Sequence, residues 1–115
     1  MAHMVVFAGE YDFANKSELR KEFSRLHSVH ELVLDMSEVT YMDSTFIAEL
    51  LLFQKARKTK RLSGFTIIAP PKSLVRKLFQ VTGLLSVLNV VEAYKREDGS
   101  APSLTLEYAG VGRPR

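Results

Sequence analysis

The chain has 115 residues, no cysteine and no tryptophan, and sixteen Lys plus Arg against thirteen Asp plus Glu give a net charge of +3. That length suits one domain, which can bury roughly two thirds of its unfolded surface and needs no staple. The missing cysteines exclude disulfides, thiolate metal sites and cysteine nucleophiles, and they suit a reducing compartment.

The longest near-continuous apolar run, Leu50 to Phe53, falls far short of the roughly 20 residues of a membrane span. The start, Met1-Ala2-His3-Met4, has no basic region followed by an apolar segment, so no secretory signal is read. Residues 1–3 read as an expression remnant ahead of a domain over 4–95, with a tail over 96–115. A soluble, cytoplasmic protein without membrane insertion is expected. Charge is unevenly spread: residues 1–50 carry nine acids and four bases, residues 51–115 four acids and twelve bases. Such a split marks separate faces and steers charged partners.

In chain order, Met4–Ala8 is a short apolar strand closed by a turn at Gly9-Glu10. Asn15 and Glu18 have the spacing of a capping box, and Leu19, Phe23 and Leu26 recur at helical spacing, predicting an amphipathic helix over 15–27. Glu31–Met36 is a second strand, and Ser37–Asp43 a short connection with Val39, Tyr41 and Met42 packed inward. Ser44 to about Lys60 is the longest helix, capped by Asp43 or Ser44. Phe65–Ala69 is a third strand, and Pro70-Pro71 open a third helix, since proline suits a first turn. Leu74, Val75, Leu78 and Phe79 form its buried stripe, with Gly83 at its C-terminal cap. Val87–Val91 is a fourth strand, and only Gly99–Pro102 resembles a linker. This alternation predicts an α/β fold with a four- to five-stranded, mostly parallel sheet and three to four helices joined by right-handed crossovers.

Catalytic signatures are missing. His3, His27 and His30 share no metal-ligand spacing, and His27 and His30 read as surface or boundary residues. Gly9, Gly64 and Gly83 are isolated, so no phosphate loop follows a strand. No Gly-x-Ser-x-Gly elbow occurs. Glu10, Asp12, Asp35 and Asp43 read as turn and cap carboxylates rather than a cation site. The cluster Lys55, Arg57, Lys58, Lys60 and Arg61 lacks interleaved aromatics and ends a helix whose dipole favours cations. It reads as a solvated face. Neither an enzyme, a cofactor, a metal nor a nucleic-acid partner is expected.

Residues 35–53 stand apart. Asp43-Ser44-Thr45 sit where a strand and turn enter a helix, among unpaired N–H groups and the positive end of the dipole. A phosphoryl group on Ser44 would stabilise that helix start by a few tenths to about 2 kcal/mol. The helix that follows is apolar nearly all round. Phe46, Leu50 and Phe53, with Glu49 beside them, are therefore expected to leave a docking face exposed, unless other helices or a dimer cover it.

Here the chain resembles a known family. Asp35-Met-Ser-Glu-Val-Thr-Tyr-Met-Asp-Ser-Thr45 is similar to the signature of the STAS domain, named for sulfate transporters and anti-sigma factor antagonists. Gly9-Glu10-Tyr11-Asp12 resembles the family's early Gly-Glu-Leu-Asp turn. Residues 71–84 resemble its Pro-x-x-x-x-Arg-x-Phe-x-x-x-Gly-Leu helix ending. The resemblance spans roughly residues 4–94 and implies a bacterial anti-sigma factor antagonist. Such a protein binds an anti-sigma factor that is a serine kinase, is released on phosphorylation, and is reset by a serine phosphatase. Ser44 takes the phosphoacceptor position, with Thr45 the neighbouring hydroxyl and Asp43 and Asp12 in its surroundings. The second function considered is an accessory subunit of a transporter or lipid-trafficking system, binding without phosphorylation.

Two departures from the pattern stand out. Phe46 replaces the glycine that follows the hydroxyl pair, and would sit beside the acceptor. The family's first edge strand is also absent, and the alternating tail over 103–108 is expected to fill that edge, in its own chain or a neighbour's. A homodimer is the further possibility.

Overall fold

The computed structural model describes residues 2–62, 64–94 and 104–110. Met1, the linker-like Gly99–Pro102 and Ser103 lie outside them. Five strands form one parallel sheet in the order β4-β3-β2-β1-β5: β1 (Ala2–Tyr11), β2 (Leu32–Met42), β3 (Thr66–Ile68), β4 (Asn89–Val91) and β5 (Leu104–Tyr108). Three helices, α1 (Lys16–Leu26), α2 (Ser44–Thr59) and α3 (Leu74–Val81), connect the first strands. Each step from β1 to β4 moves one place in the same direction. Right-handed crossovers then stack the helices on one face of the sheet.

Period-two alternation divides the apolar strand residues between the two faces. Val5, Phe7, Leu32, Leu34, Met36 and Ile67 meet the helices in the main core. Ala2, Met4, Val33 and Ile68 form a smaller cluster, with Val91, Tyr94 and Leu104 against it. Ala2 and His3, read as a remnant, are strand residues paired with β2 or β5.

Several boundaries move for identifiable reasons. β1 does not turn at Gly9-Glu10. It continues to Tyr11 through register shifts, with Gly9 at a φ of 90° that favours glycine. Ser37–Met42, expected as a connection, extends β2 against that lengthened strand. Val39 and Met42 face inward, but Tyr41 is exposed, correcting its inward assignment. The capping box belongs to Asp12 and Asn15, not Asn15 and Glu18, because a 3-10 turn (Phe13–Asn15) precedes α1. Asp12 Oδ1 accepts from Ala14 N at 2.9 Å, and Asn15 Oδ1 accepts from Asp12 N at 2.7 Å. α3 begins at Leu74 rather than at the prolines, capped by Ser73 Oγ, which accepts from Arg76 N at 3.2 Å.

Arg57 is the main correction to the basic cluster. It is 1% exposed rather than solvated. Its Nη1 donates to the carbonyls of His27 at 3.0 Å and Val29 at 2.7 Å, and Nη2 to His30 at 3.3 Å. The last carbonyls of a helix have no intrahelical donor, so the guanidinium stitches the end of α1 to α2. Burial lowers its pKa from the ordinary guanidinium value.

Candidate functional site

Two turns meet at the top of the sheet. Asp43 caps α2, its Oδ1 accepting from Thr45 N at 2.9 Å, while its Oδ2 accepts from Phe13 N at 3.2 Å. Its own N–H donates to Tyr11 O at 3.3 Å. One carboxylate thus ties the start of α2 to the turn after β1. Asp12, which caps that turn, stands in the same junction. Ser44 is the first residue of α2 and is exposed; Thr45 is half-buried.

The phase of α2 decides what surrounds Ser44. Phe46 and Leu50 are 0% exposed and Phe53 is 4% exposed, so the expected docking face is core instead. The cause is aromatic packing. The Phe46 ring meets Tyr11 edge-on at 5.0 Å between centroids and Phe7 at 5.8 Å, while Phe53 stacks on Phe23 at 4.8 Å. Such pairs contribute about 0.5–1.5 kcal/mol each beyond area burial. The phenyl ring expected beside the acceptor therefore points away from it. Tyr11, buried in the same cluster, has its phenol pKa pushed up to about 12, chiefly by desolvation.

Glu49 is also buried and is held by Arg20, Nη2 to Oε1 at 2.8 Å. The outward stripe of α2 is instead Ser44, Ala48, Leu52 and Lys55. Leu52 is 54% exposed and Phe13, across the groove, 71%.

An open groove of about 250 Å³ runs beside Ser44, lined by Phe13, Lys16, Arg20, Thr45, Ala48 and Leu52 among others. A second, of about 310 Å³, shares Arg20, Glu49 and Leu52 and continues between α1 and α2 to His27 and Ala56. Ser44 therefore opens onto an amphipathic trough with Lys16 and Arg20 on the α1 side. Sequence reasoning missed Phe13, Lys16, Arg20 and Leu52. The spacing of Lys16 and Arg20, four apart on a helix beginning just after Asp12, is the signal that would have found them.

The model of the STAS domain matches residues 2–97. The chain belongs to the STAS domain family. Among solved structures, the anti-sigma factor antagonist SpoIIAA in its unphosphorylated form superposes with a TM-score of 0.60 at 17% identity, over 82% of this chain and 84% of that one. The Bacillus cell fate determinant SpoIIAA in the phosphorylated form gives 0.55 at 19%, over 85% and 87%. At such identities the likeness is one of fold. No curated sequence matches significantly. Among the described residues of this STAS domain, no helix is long and apolar enough to cross a membrane, and no three His, Asp or Glu side chains are grouped to hold a metal ion.

Proposed function

We propose that this STAS protein is a bacterial, cytoplasmic anti-sigma factor antagonist that works by binding, not catalysis. Its partner is an anti-sigma factor with serine kinase activity, engaged along the α1–α2 trough. The kinase moves the γ-phosphoryl group of ATP to Ser44 Oγ, ADP leaves, and the complex separates. A serine phosphatase restores the hydroxyl.

The observation that carries this reading is the exposure of Ser44 at the head of the outward stripe of α2, on a turn fixed by Asp43. Phosphorylation adds about −1.5 to −2 charges there. Buried against a partner without compensation, that charge costs several kcal/mol. A loss of about 3–4 kcal/mol weakens binding by two to three powers of ten. Within the free protein the added charge is easily borne, since helix N–H groups and the cations Lys16 and Arg20 lie alongside. Phosphorylation is thus expected to break the complex without unfolding the domain.

A transporter or lipid-trafficking subunit would be favoured by a bulky apolar Phe46 exposed for a permanent contact. With that ring in the core the support lapses. Incubation with the cognate kinase and labelled ATP tests the proposal. Label is expected on wild type and on Thr45→Val but not on Ser44→Ala; equal labelling of Ser44→Ala would defeat the assignment.

A further inference from the structure

The last strand, β5, is held to the sheet by its backbone and with little side-chain burial. β5 pairs in parallel with β1 from Ala2↔Leu104 to Val6↔Tyr108, and Ala109 N donates to Val6 O at 2.9 Å. Yet none of its five side chains is buried, and Leu106 and Tyr108 are more than half exposed. Only Leu104 leans on the small cluster of the far face. Such elements, with few buried contacts, open at the low end of a protein's stability range.

Polar contacts replace the missing packing, and both ion pairs of the strand fall on one side chain. Glu107 pairs with the Arg25 guanidinium of α1, which also holds Glu22, and with His3 Nε2 of β1 at 3.1 Å. Thr105 Oγ1 meets His3 Nδ1 at 3.2 Å, and the Tyr108 hydroxyl donates to Glu38 of β2 at 3.4 Å. Burial raises the Glu107 pKa, but Arg25 and His3 outweigh it and hold the carboxyl below its ordinary value. It is therefore charged at neutral pH.

The receiving strand is the opposite in character. β1 is apolar and largely buried. With β5 gone it would offer a row of unpaired N–H and C=O groups beside the core, a template that demands another strand. The strand with matching sequence is β5 of another copy, which would make the same contacts. Reach permits it. Twelve residues separate Val91, at one edge of the sheet, from Leu104, at the other. Extended, they span about 40 Å, comparable with the 39 Å longest dimension of the molecule. Crossing its own sheet takes only four strand spacings, about 19 Å.

We infer that β5 is an exchangeable strap, latched by Glu107, that closes the β1 edge of its own chain and can close the same edge of a second copy. Exchange leaves the contacts unchanged, so concentration sets the balance. A tethered strand has an effective concentration in the millimolar range, which favours the closed monomer in dilute solution and exchanged dimers near that range. Ser44 takes no part, so this inference and the phosphorylation reading fail separately.

The absence of native cysteine makes the test clean. Ala2 and Leu104 are register partners, and neighbouring parallel strands bring Cα atoms within disulfide range. In the full chain carrying both Ala2→Cys and Leu104→Cys, oxidation at low micromolar concentration is expected to close the bridge within one molecule. The two single variants, one isotopically labelled, are then mixed at about millimolar concentration, oxidised, and their links mapped by mass spectrometry. Links between Cys at 2 of one copy and Cys at 104 of the other are expected, and adding Glu107→Gln to both should raise their rate of appearance about fivefold. Failure of the double variant to close overturns the seating of β5. No 2-to-104 links between copies, or links only between like positions, overturns exchange. An unchanged rate with Glu107→Gln overturns the latch.

Discussion

Along α2, Phe46, Leu50, Phe53 and Arg57 turn into the molecule, whereas Ser44, Ala48, Leu52 and Lys55 turn out to solvent. The two stripes share a helix, and each combines apolar residues with a cation near its C-terminal end. What separates them is the surface each one meets. The inward stripe closes an aromatic cluster with Phe7, Tyr11 and Phe23, and its Arg57 stitches the end of α1. The outward stripe meets only the α1–α2 trough, so its substitutions should leave the fold alone and change recognition. A regulatory hydroxyl belongs on the second stripe, where chemistry can act without loosening the core.

Mutations that respect or violate this division should differ in kind. The largest effect is expected from Phe46→Ala, a loss of about 3–5 kcal/mol for emptying a fully buried aromatic site. Urea unfolding measures it, and a loss under 1 kcal/mol would place the ring outside the core. Arg57→Met keeps much of the side-chain volume but leaves the α1 carbonyls without their donor. A cost of about 2–4 kcal/mol is expected by the same measurement, with helix loss beginning at α1.

Asp43→Ala removes the α2 cap and the Phe13 tie, for about 1–2 kcal/mol, while Asp43→Asn should recover most of it because an amide oxygen still accepts. The smallest change in stability, within about 0.5 kcal/mol, is expected for Leu52→Asp. Its effect should appear instead as at least a tenfold weaker complex with the anti-sigma kinase by calorimetry, as for an anchor inside an interface. Unaltered affinity would move the interface off this stripe.

Much of the architecture was legible because apolar runs alternate with caps and turns in β-α order, which leaves parallel pairing as the natural way to bury both. The extension of β2 was hidden, since Ser37, Glu38 and Thr40 look like a connection until a lengthened β1 is there to pair with them. The phase of α2 was hidden for a different reason. Seven of the eight positions from Phe46 to Phe53 are apolar, which leaves no stripe to read there, and composition alone points Phe46, Leu50 and Phe53 to the surface.

One residue held the missing clue. Arg57 falls on the same helical face as Phe46, Leu50 and Phe53. Its place among Lys55, Lys58, Lys60 and Arg61 made a solvated charge the natural reading, and only the ends of α1 and α2 brought together show why a guanidinium is buried there. The start of α2 at Ser44 was legible through its cap, because Asp followed by two hydroxyl residues at a helix start is a local signal that needs no tertiary contact. The trough was not, since α1 and α2 supply its walls from distant parts of the chain.

The most direct test of the central claim is phosphosite mapping by mass spectrometry on the protein purified from its own cells, across conditions in which the kinase is active and inactive. The account predicts a single phosphoryl group on Ser44 that appears with kinase activity and is absent from partner-bound material. Phosphate confined to another residue, or Ser44 phosphorylated to the same extent in free and partner-bound protein, would contradict it.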